Sequence, residues 1–295
     1  MPPDVRRYIT LTRRAHPFYI FSSPVHCTLT RLMHPLPASP LKTDTLPDVR
    51  YAGRCPQTGC ERVLRPTHET LAAAEELMDY LAAQRTAESG FSTASLYEEA
   101  NGKMFGVMVC RDPDGRRGVL RAFSGEWAER QQPDGWVPSS GFLDEYEGER
   151  SETEAQVAEF TRRIGELQDS LPGTRALRRQ IEELKIERGA LSRALTERIH
   201  DAYRFENALG EVLPLREVDT GSLRPPTGMG DCCAPKLVQH AVRQGLEPLG
   251  MIEFWWGASS RVHPRMEGRY YSACRPKCYP ILGFLLRGIA AAEVC

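Results

Sequence analysis

Four cysteines in the last third of the chain have the residue type and spacing to bind a metal ion. Cys232 and Cys233 open one predicted helix, and Cys274 and Cys278 open the next, with a predicted strand between them. A thiol at a helix N-terminus lies in positive potential, which lowers its pKa and favours the thiolate that metals bind. Zinc prefers sulfur ligands in a tetrahedral arrangement. We therefore predict zinc at Cys232, Cys274 and Cys278. Buried, unreactive thiols are the alternative.

The other cysteines carry weaker signals. The chain has nine cysteines, an odd number, which disfavours a complete disulfide framework. Cys55 and Cys60 form a C-x4-C pair without an obvious partner, so a structural role is the better interpretation. His263 could be a fourth metal ligand, although a lone histidine in a loop is usually exposed.

The predicted elements follow the order α-β-β-α-β-α. They are a helix over 70–84, a β-hairpin over 104–123, a helix over 231–244, a strand over 248–256 and a helix over 278–287. This order resembles the cytidine deaminase-like fold, an α/β (α+β) domain with three layers. The resemblance implies metal ligands at the starts of the second and third helices.

The same resemblance implies a catalytic glutamate two residues after the first ligand. If Cys232 is that ligand, Ala234 stands in the place of the glutamate; if it is Cys233, Pro235 does. Neither side chain can transfer a proton, so we predict no catalytic residue. Glu253 lies on the predicted strand and could approach the site, but a structural hydrogen bond is the expected role of its carboxylate.

Residues 151–208 predict an antiparallel helical hairpin of the coiled-coil type. Apolar residues follow a heptad pattern on both sides of a break at Pro172-Gly173, and Arg188 interrupts the second seam. The seam residues are Val157, Phe160, Ile164, Leu167 and Leu171, then Leu177, Ile181, Leu184, Leu191, Leu195 and Ile199. The hairpin is predicted to be an insertion in the α/β domain.

Charge and composition set the remaining boundaries. Residues 1–43 carry six basic groups and one acid, with many prolines, which fits either an organelle transit peptide or a poorly ordered leader.

No apolar run approaches the roughly 20 residues of a membrane span. The predicted division is a leader and linker over 1–47, the two halves of the α/β domain over 48–150 and 209–295, and the hairpin over 151–208. The expected location is cytoplasmic, or organellar if the leader is a transit peptide.

Several segments together resemble the N-terminal extension of long bacterial RluA-type RNA pseudouridine synthases. They are 102–107, 122–125, 203–210, 225–237, 253–257 and 271–282, within a region of roughly 65–290. The resemblance implies RNA modification as the setting. The synthase core carries its catalytic aspartate in a His-Arg-Leu-Asp motif, which does not occur in these 295 residues.

The segment 261–277 is a candidate RNA contact. Arginine holds phosphates and aromatic rings stack on unpaired bases, whereas the alternative is a solvated loop that covers the core. The candidate residues are Arg261, Arg265, Arg269, Tyr270, Tyr271 and Lys277.

These observations favour a non-catalytic accessory protein that binds structured RNA, such as tRNA or rRNA, or positions a pseudouridine synthase core. The alternatives are a zinc hydrolase acting on a base or nucleoside, with Glu253 as proton shuttle, and a fragment of a full synthase.

Overall fold

The computed structural model describes residues 32–86, 91–98, 101–127, 133–138, 147–169, 173–218, 221, 225–259, 264–289 and 291–295. These residues form α-helices and antiparallel strands. In chain order the elements are β1 (Tyr51–Arg54), β2 (Glu61–Leu64), α1 (His68–Ala83), β3 (Lys103–Arg111), β4 (Arg117–Phe123), α2 (Glu147–Asp169), α3 (Arg175–Ala202), β5 (Arg204–Glu206), β6 (Val212–Pro214), α4 (Leu215–Val218), α5 (Cys233–Arg243), β7 (Glu247–Trp256), β8 (Tyr270–Tyr271), α6 (Tyr279–Leu285) and β9 (Ala292–Val294).

The central sheet has the strand order β4-β3-β7-β8, and β3 runs antiparallel to both of its neighbours. Consecutive residues of β3 and β7 are buried regardless of which face they point to. An apolar run of this kind is expected when both faces of a sheet are covered. The α+β class predicted from the sequence is therefore confirmed.

Helices cover the two faces of this sheet. A Cβ at Gly250 would lie 2.8 Å from Thr67 Cγ2, at the start of α1, whereas a Cβ at Gly106 would lie 2.8 Å from Cys233 Cβ in α5. Gly250 pairs with Val109, which is three residues from Gly106. Residues three apart on a strand point to opposite faces, so α1 and α5 lie on opposite sides.

The helix predicted at 70–84 is α1, which begins two residues earlier. Thr67 caps it: its hydroxyl accepts a hydrogen bond from Thr70 N, and the Thr70 hydroxyl accepts one from Thr67 N. This reciprocal pair satisfies two backbone donors at the helix start. Leu71, Leu77 and Leu81 are fully buried against the sheet, as their helical spacing predicts.

Helices α2 and α3 form the predicted hairpin, with bounds of 147–169 and 175–202 in place of 151–208. Their seam buries Ile164, Ile181 and Leu184, and the partly buried Phe160, Leu167 and Leu177 pack against these three. Pro172 and Leu171 lie outside the described residues. None of the helices in the described part of the chain has the length and apolarity to cross a membrane.

A second sheet, with the order β1-β2-β9, was not predicted. At one end of it, Cys60, which precedes β2, forms a disulfide with Cys295, which follows β9, 235 residues further along the chain. The sequence offered no obvious partner for Cys60, and its structural role takes the form of this disulfide, while Cys55 is a buried free thiol. The C-x4-C spacing could not reveal this bond because the partner of Cys60 is brought close only by the pairing of β9 with β2.

Part of the predicted leader and linker over 1–47 contacts the α/β domain. His34 forms a β-bridge with Val119 at the edge of the central sheet, and Lys42 N donates to a carboxylate oxygen of Glu75 in α1. The segment from Leu32 onward therefore packs on the α/β domain, because it pairs with the open edge of β4. Residues 1–31, with most of the possible transit peptide, lie outside the described residues.

Gly53 of β1 and Gly283 of α6 allow strand and helix to touch through their backbones. A Cβ at Gly283 would lie 2.1 Å from the carbonyl carbon of Arg54, and one at Gly53 would lie 2.3 Å from Gly283 N. Neither neighbour is a flexible side chain, so an added methyl group must displace the helix from the strand.

We expect Gly283→Ala to lower the free energy of unfolding by about 1–3 kcal/mol, because it overpacks this contact. Gly165→Ala is the matched control. A Cβ at Gly165 meets nothing within 4 Å, and alanine in a helix is about 0.5–1 kcal/mol more favourable than glycine. Urea unfolding followed by tryptophan fluorescence measures both. A Gly283→Ala protein as stable as the parent would contradict the close packing.

Candidate metal centre

The sulfur atoms of Cys232, Cys274 and Cys278 all lie within 4.8 Å of one another. Cys232 is the residue immediately before α5, and the other two precede α6. Helices α5 and α6 pack together, which brings the two segments into contact. The structure therefore brings together the three cysteines that the sequence singled out as ligands.

A single helical turn places Cys274 and Cys278 side by side. Cys278 N and Tyr279 N both donate to the carbonyl oxygen of Cys274. Residues four apart in such a turn lie on the same face, and the two sulfur atoms are 3.4 Å apart. The C-x3-C spacing therefore brings two sulfur atoms close together, as the shorter C-x2-C spacing does in other metal sites.

The turn before Cys232 is fixed by glycine and by a buried tyrosine. Gly228 and Gly230 have φ angles of 72° and 99°, in the left-handed region that favours glycine. The hydroxyl of Tyr203 donates to a carboxylate oxygen of Asp231 at 2.6 Å. These contacts set the direction in which the chain enters α5, and with it the position of Cys232.

Cys233, the alternative first ligand, points away from the cluster. It is fully buried, and its thiol lies 3.3 Å from the carbonyl oxygen of Met104. Burial raises the pKa of this thiol well above its usual value, which favours the neutral form. Cys233 is therefore a core residue.

The three clustered thiols share their protons unequally. Hydrogen bonds from Cys232 and Cys278, together with backbone N–H groups, lower the pKa of Cys274. The same hydrogen bonding raises the pKa of Cys278, and the hydrogen bond to Cys274 raises that of Cys232. Within the cluster, negative charge is therefore favoured on Cys274. A metal that binds all three as thiolates displaces protons, so its affinity increases with pH.

Glu253 of β7 reaches the first turn of α5. Its Oε1 accepts a hydrogen bond of 2.7 Å from Ala234 N, and its side chain is 4% exposed. Burial raises the pKa of this carboxyl group to about 8. The expected structural hydrogen bond of Glu253 is therefore present, and it is made to the backbone of Ala234 in the first turn of α5.

Lys236 is a buried cation that the sequence did not mark as part of this region. Its Nζ donates to the carbonyl oxygens of Phe123 and Gly125, at 3.0 and 2.5 Å, and the residue is 1% exposed. Burial lowers its pKa, whereas the neighbouring thiols of Cys233 and Cys232 raise it. Lys236 fastens α5 to the end of β4. The sequence signal that could have identified Lys236 was a lysine on the apolar face of a predicted helix.

The predicted RNA-contact residues are only partly brought together. The guanidinium of Arg265 lies over the rings of Tyr271 and Trp255, 4.4 and 5.9 Å from their centroids. Arg269 is exposed, whereas Tyr270 and Lys277 are half-buried. Arg261 and His263 lie outside the described residues.

The donor set fits a thiophilic metal ion. Zinc–sulfur bonds are about 2.3 Å long, which in a tetrahedron separates two sulfur atoms by about 3.8 Å. The sulfurs of Cys274 and Cys278 are 3.4 Å apart, so a small outward movement of their side chains admits an ion. Three thiolates leave a fourth coordination position for another ligand.

Comparison with known proteins assigns no family to the chain. No protein-family model matches it, and no solved structure matches it. A stretch of 82 residues is 42% identical to a rifampicin monooxygenase from Rhodococcus hoagii. The stretch is 28% of this chain and 17% of that protein, so the chain spans only about a sixth of the relative's length.

We expect the metal-free protein to bind one Co²⁺ ion with a thiolate-to-metal charge-transfer band in its absorption spectrum. Cys274→Ser should abolish most of that band, and binding should weaken as pH falls because protons compete for the thiolates. Cys110→Ala, which removes another buried thiol, is the control and should bind Co²⁺ normally. An unchanged band in Cys274→Ser would show that the cluster is not the metal site.

Proposed function

We propose that this protein is a zinc-stabilised accessory module that binds structured RNA and positions an RNA pseudouridine synthase core. It has no catalytic residue of its own in this proposal. Zinc is bound by Cys232, Cys274 and Cys278, and the RNA lies against the segment that joins β7 to α6.

One observation carries the proposal: Arg265 lies over two aromatic rings, directly beside the segment that supplies two of the thiols. Arginine stacked on an aromatic ring keeps its N–H groups free at its edges, where phosphate oxygens can bind them. The half-buried ring of Tyr271 could also support an unpaired base, whereas Trp255 is buried. An arginine held over aromatic rings is a more specific indication of RNA binding than a run of basic residues in the sequence.

Several basic residues near Arg265 have no acidic partner among the described residues. Arg269, Arg275 and Lys277 make no ion pair with any carboxylate in the described part of the chain. Basic groups without an acidic partner are available to phosphates, and counterions released from the nucleic acid then favour binding. The segment also contains Glu267, whose carboxylate is used to hold the loop through Gly257 N.

The element order and the helices on both faces of the sheet support a deaminase-like core for this module. Zinc at the starts of α5 and α6 would hold these two helices together, as structural zinc sites do in small domains. Ala234 has no carboxylate to offer, which favours a structural role for the metal. The residues that resemble the extension of pseudouridine synthases include the segment of the thiol cluster, which supports a setting in RNA modification.

We expect the zinc-loaded protein to bind a tRNA transcript with an affinity that falls steeply with salt. Reversing two charges in Arg265→Glu/Arg269→Glu should weaken binding and reduce the slope of log K against log salt by about 1.4–1.8, because two phosphate contacts are lost. Fluorescence anisotropy over a range of salt concentrations measures both quantities.

The matched control reverses the same charge elsewhere. Arg243 lies at the far end of α5 from Cys232, and Arg178 is on the helical hairpin; both are exposed. Arg243→Glu/Arg178→Glu should leave the affinity within a few-fold of the parent. Equal effects of the two double variants would mean that net charge alone drives the interaction, and no binding by the parent would refute the proposal.

Glu253 favours a second candidate function, a hydrolase that removes an amino group from a base. When bound, zinc supplies Lewis-acid activation of water. The carboxylate of Glu253 is positioned at the first turn of α5, where it could accept and return a proton. Its hydrogen bond to Ala234 N holds it beside the thiol cluster.

The hydrolase would release ammonia from cytidine or adenosine, and Glu253→Gln would lower that rate by at least about 100-fold. Glutamine retains an oxygen that can accept the hydrogen bond from Ala234 N, so the fold should persist. Glu247→Gln changes an exposed acid on the same strand and should leave the rate unchanged. The accessory module, in contrast, should release no ammonia from either nucleoside.

A further inference from the structure

A cavity of about 250 Å³ opens next to the thiol cluster, where β1 and β2 meet the turn before α6. Arg275 and Ser272 belong to the segment 261–277, whereas Arg50, Glu61 and Tyr279 lie outside it and were not singled out from the sequence. Its lining residues are Arg50, Ala52, Glu61, Ser272, Ala273, Arg275 and Tyr279. Its volume is near the lower limit of small-molecule sites, which suits one compact ligand.

Two arginine residues line this cavity. The backbone of Arg50 is fixed, because Arg50 N donates to Ser272 Oγ and its carbonyl oxygen accepts from Ala273 N. Both Arg50 and Arg275 are exposed, and within the described residues neither makes an ion pair. The cavity thus has two available groups that bind an anion such as phosphate.

An aromatic ring and a carboxylate complete the cavity. The hydroxyl of Tyr279 donates to Glu61 Oε2 at 2.7 Å, and the Arg275 guanidinium is 5.5 Å from the centroid of the Tyr279 ring. In the described part of the chain, nothing donates to the second oxygen of Glu61. A base that lies on Tyr279 could therefore donate an amino group to Glu61 Oε1.

We propose that this cavity binds one unpaired nucleotide whose base carries an exocyclic amino group. Arg50 and Arg275 bind its phosphate, Tyr279 supports the base, and Glu61 accepts the amino group. The inference rests on the proposed RNA-binding function and names the unit of RNA that the module selects.

The carboxylate distinguishes a nucleotide from a simple anion. Glu61 repels phosphate or sulfate alone, whereas it attracts a hydrogen-bond donor placed a few ångströms from the phosphate. Cytidine has an amino group where uridine has a carbonyl oxygen, so the site should discriminate between these two bases. A hydrogen bond from an uncharged donor to a buried or half-buried carboxylate is strong enough for about tenfold discrimination.

The test compares cytidine 5′-monophosphate, uridine 5′-monophosphate and inorganic phosphate as ligands of the zinc-loaded full chain, by NMR titration. The cytidine nucleotide should bind about tenfold more tightly than the uridine nucleotide. Glu61→Gln should remove most of that preference, since an amide can also donate to the uridine carbonyl. Arg275→Ala should weaken both nucleotides about equally, whereas Arg243→Ala should weaken neither.

Equal affinity for the two nucleotides would overturn the inference, and so would inorganic phosphate that competes as strongly as the cytidine nucleotide. Failure of the cavity and failure of the RNA-binding function give different results. If the inference about the cavity is wrong, the protein still binds tRNA, and Arg265→Glu/Arg269→Glu still weakens that binding. If the RNA-binding function is wrong, tRNA does not bind, whatever the mononucleotides do.

Discussion

The side chain of Glu253 caps the helix that follows Cys232, and the position of the thiol cluster depends on this contact. Helix α5 begins after Cys232, whose side chain forms no capping hydrogen bond. A helix start needs acceptors for its first N–H groups, and Glu253 supplies one to Ala234 N from a neighbouring strand. Because the cap comes from β7, the residue at the usual capping position can be a cysteine, and its sulfur can face Cys274 and Cys278.

This arrangement has an electrostatic cost that the surroundings partly offset. The thiols become negative on metal binding and Glu253 is ionisable; Glu253 and Cys278 are buried, and Cys232 and Cys274 are half-buried. The neutral form of Glu253 is favoured, as its raised pKa shows. Lys236 is the nearby buried cation, and a bound divalent ion would add further positive charge. The cluster could therefore hold a metal ion, whose charge would offset that of the thiolates.

The cluster also lies at the junction of several elements. Helix α6 touches β1 through Gly53 and Gly283, and β2 is linked to the end of the chain by the Cys60–Cys295 disulfide. The same junction forms the cavity of Arg50 and Tyr279. A ligand in that cavity would contact the segment 272–279, which supplies two of the three thiols. Metal binding and ligand binding therefore both depend on the position of this segment.

Short-range patterns in the sequence were sufficient for much of the fold. The spacing of Leu71, Leu77 and Leu81 predicted α1, the apolar run before Trp256 predicted β7, and the seam around Ile164 and Ile181 predicted the hairpin. In these elements the signal is a local period that results from one buried face. The strands β1, β2 and β9 have four residues or fewer, which is too short for such a period, and they were missed.

Sequence alone determined that Cys232 or Cys233, with Cys274 and Cys278, could form a metal site, because helix starts and C-x3-C spacing are local properties. Only the tertiary structure decided between Cys232 and Cys233, since that choice depends on which sulfur faces α6 and which faces β3. The bond between Cys60 and Cys295, the cap from Glu253 and the cavity of Arg50 likewise join residues far apart in the chain. Such contacts are set by how the sheets and helices pack, and no local spacing encodes them.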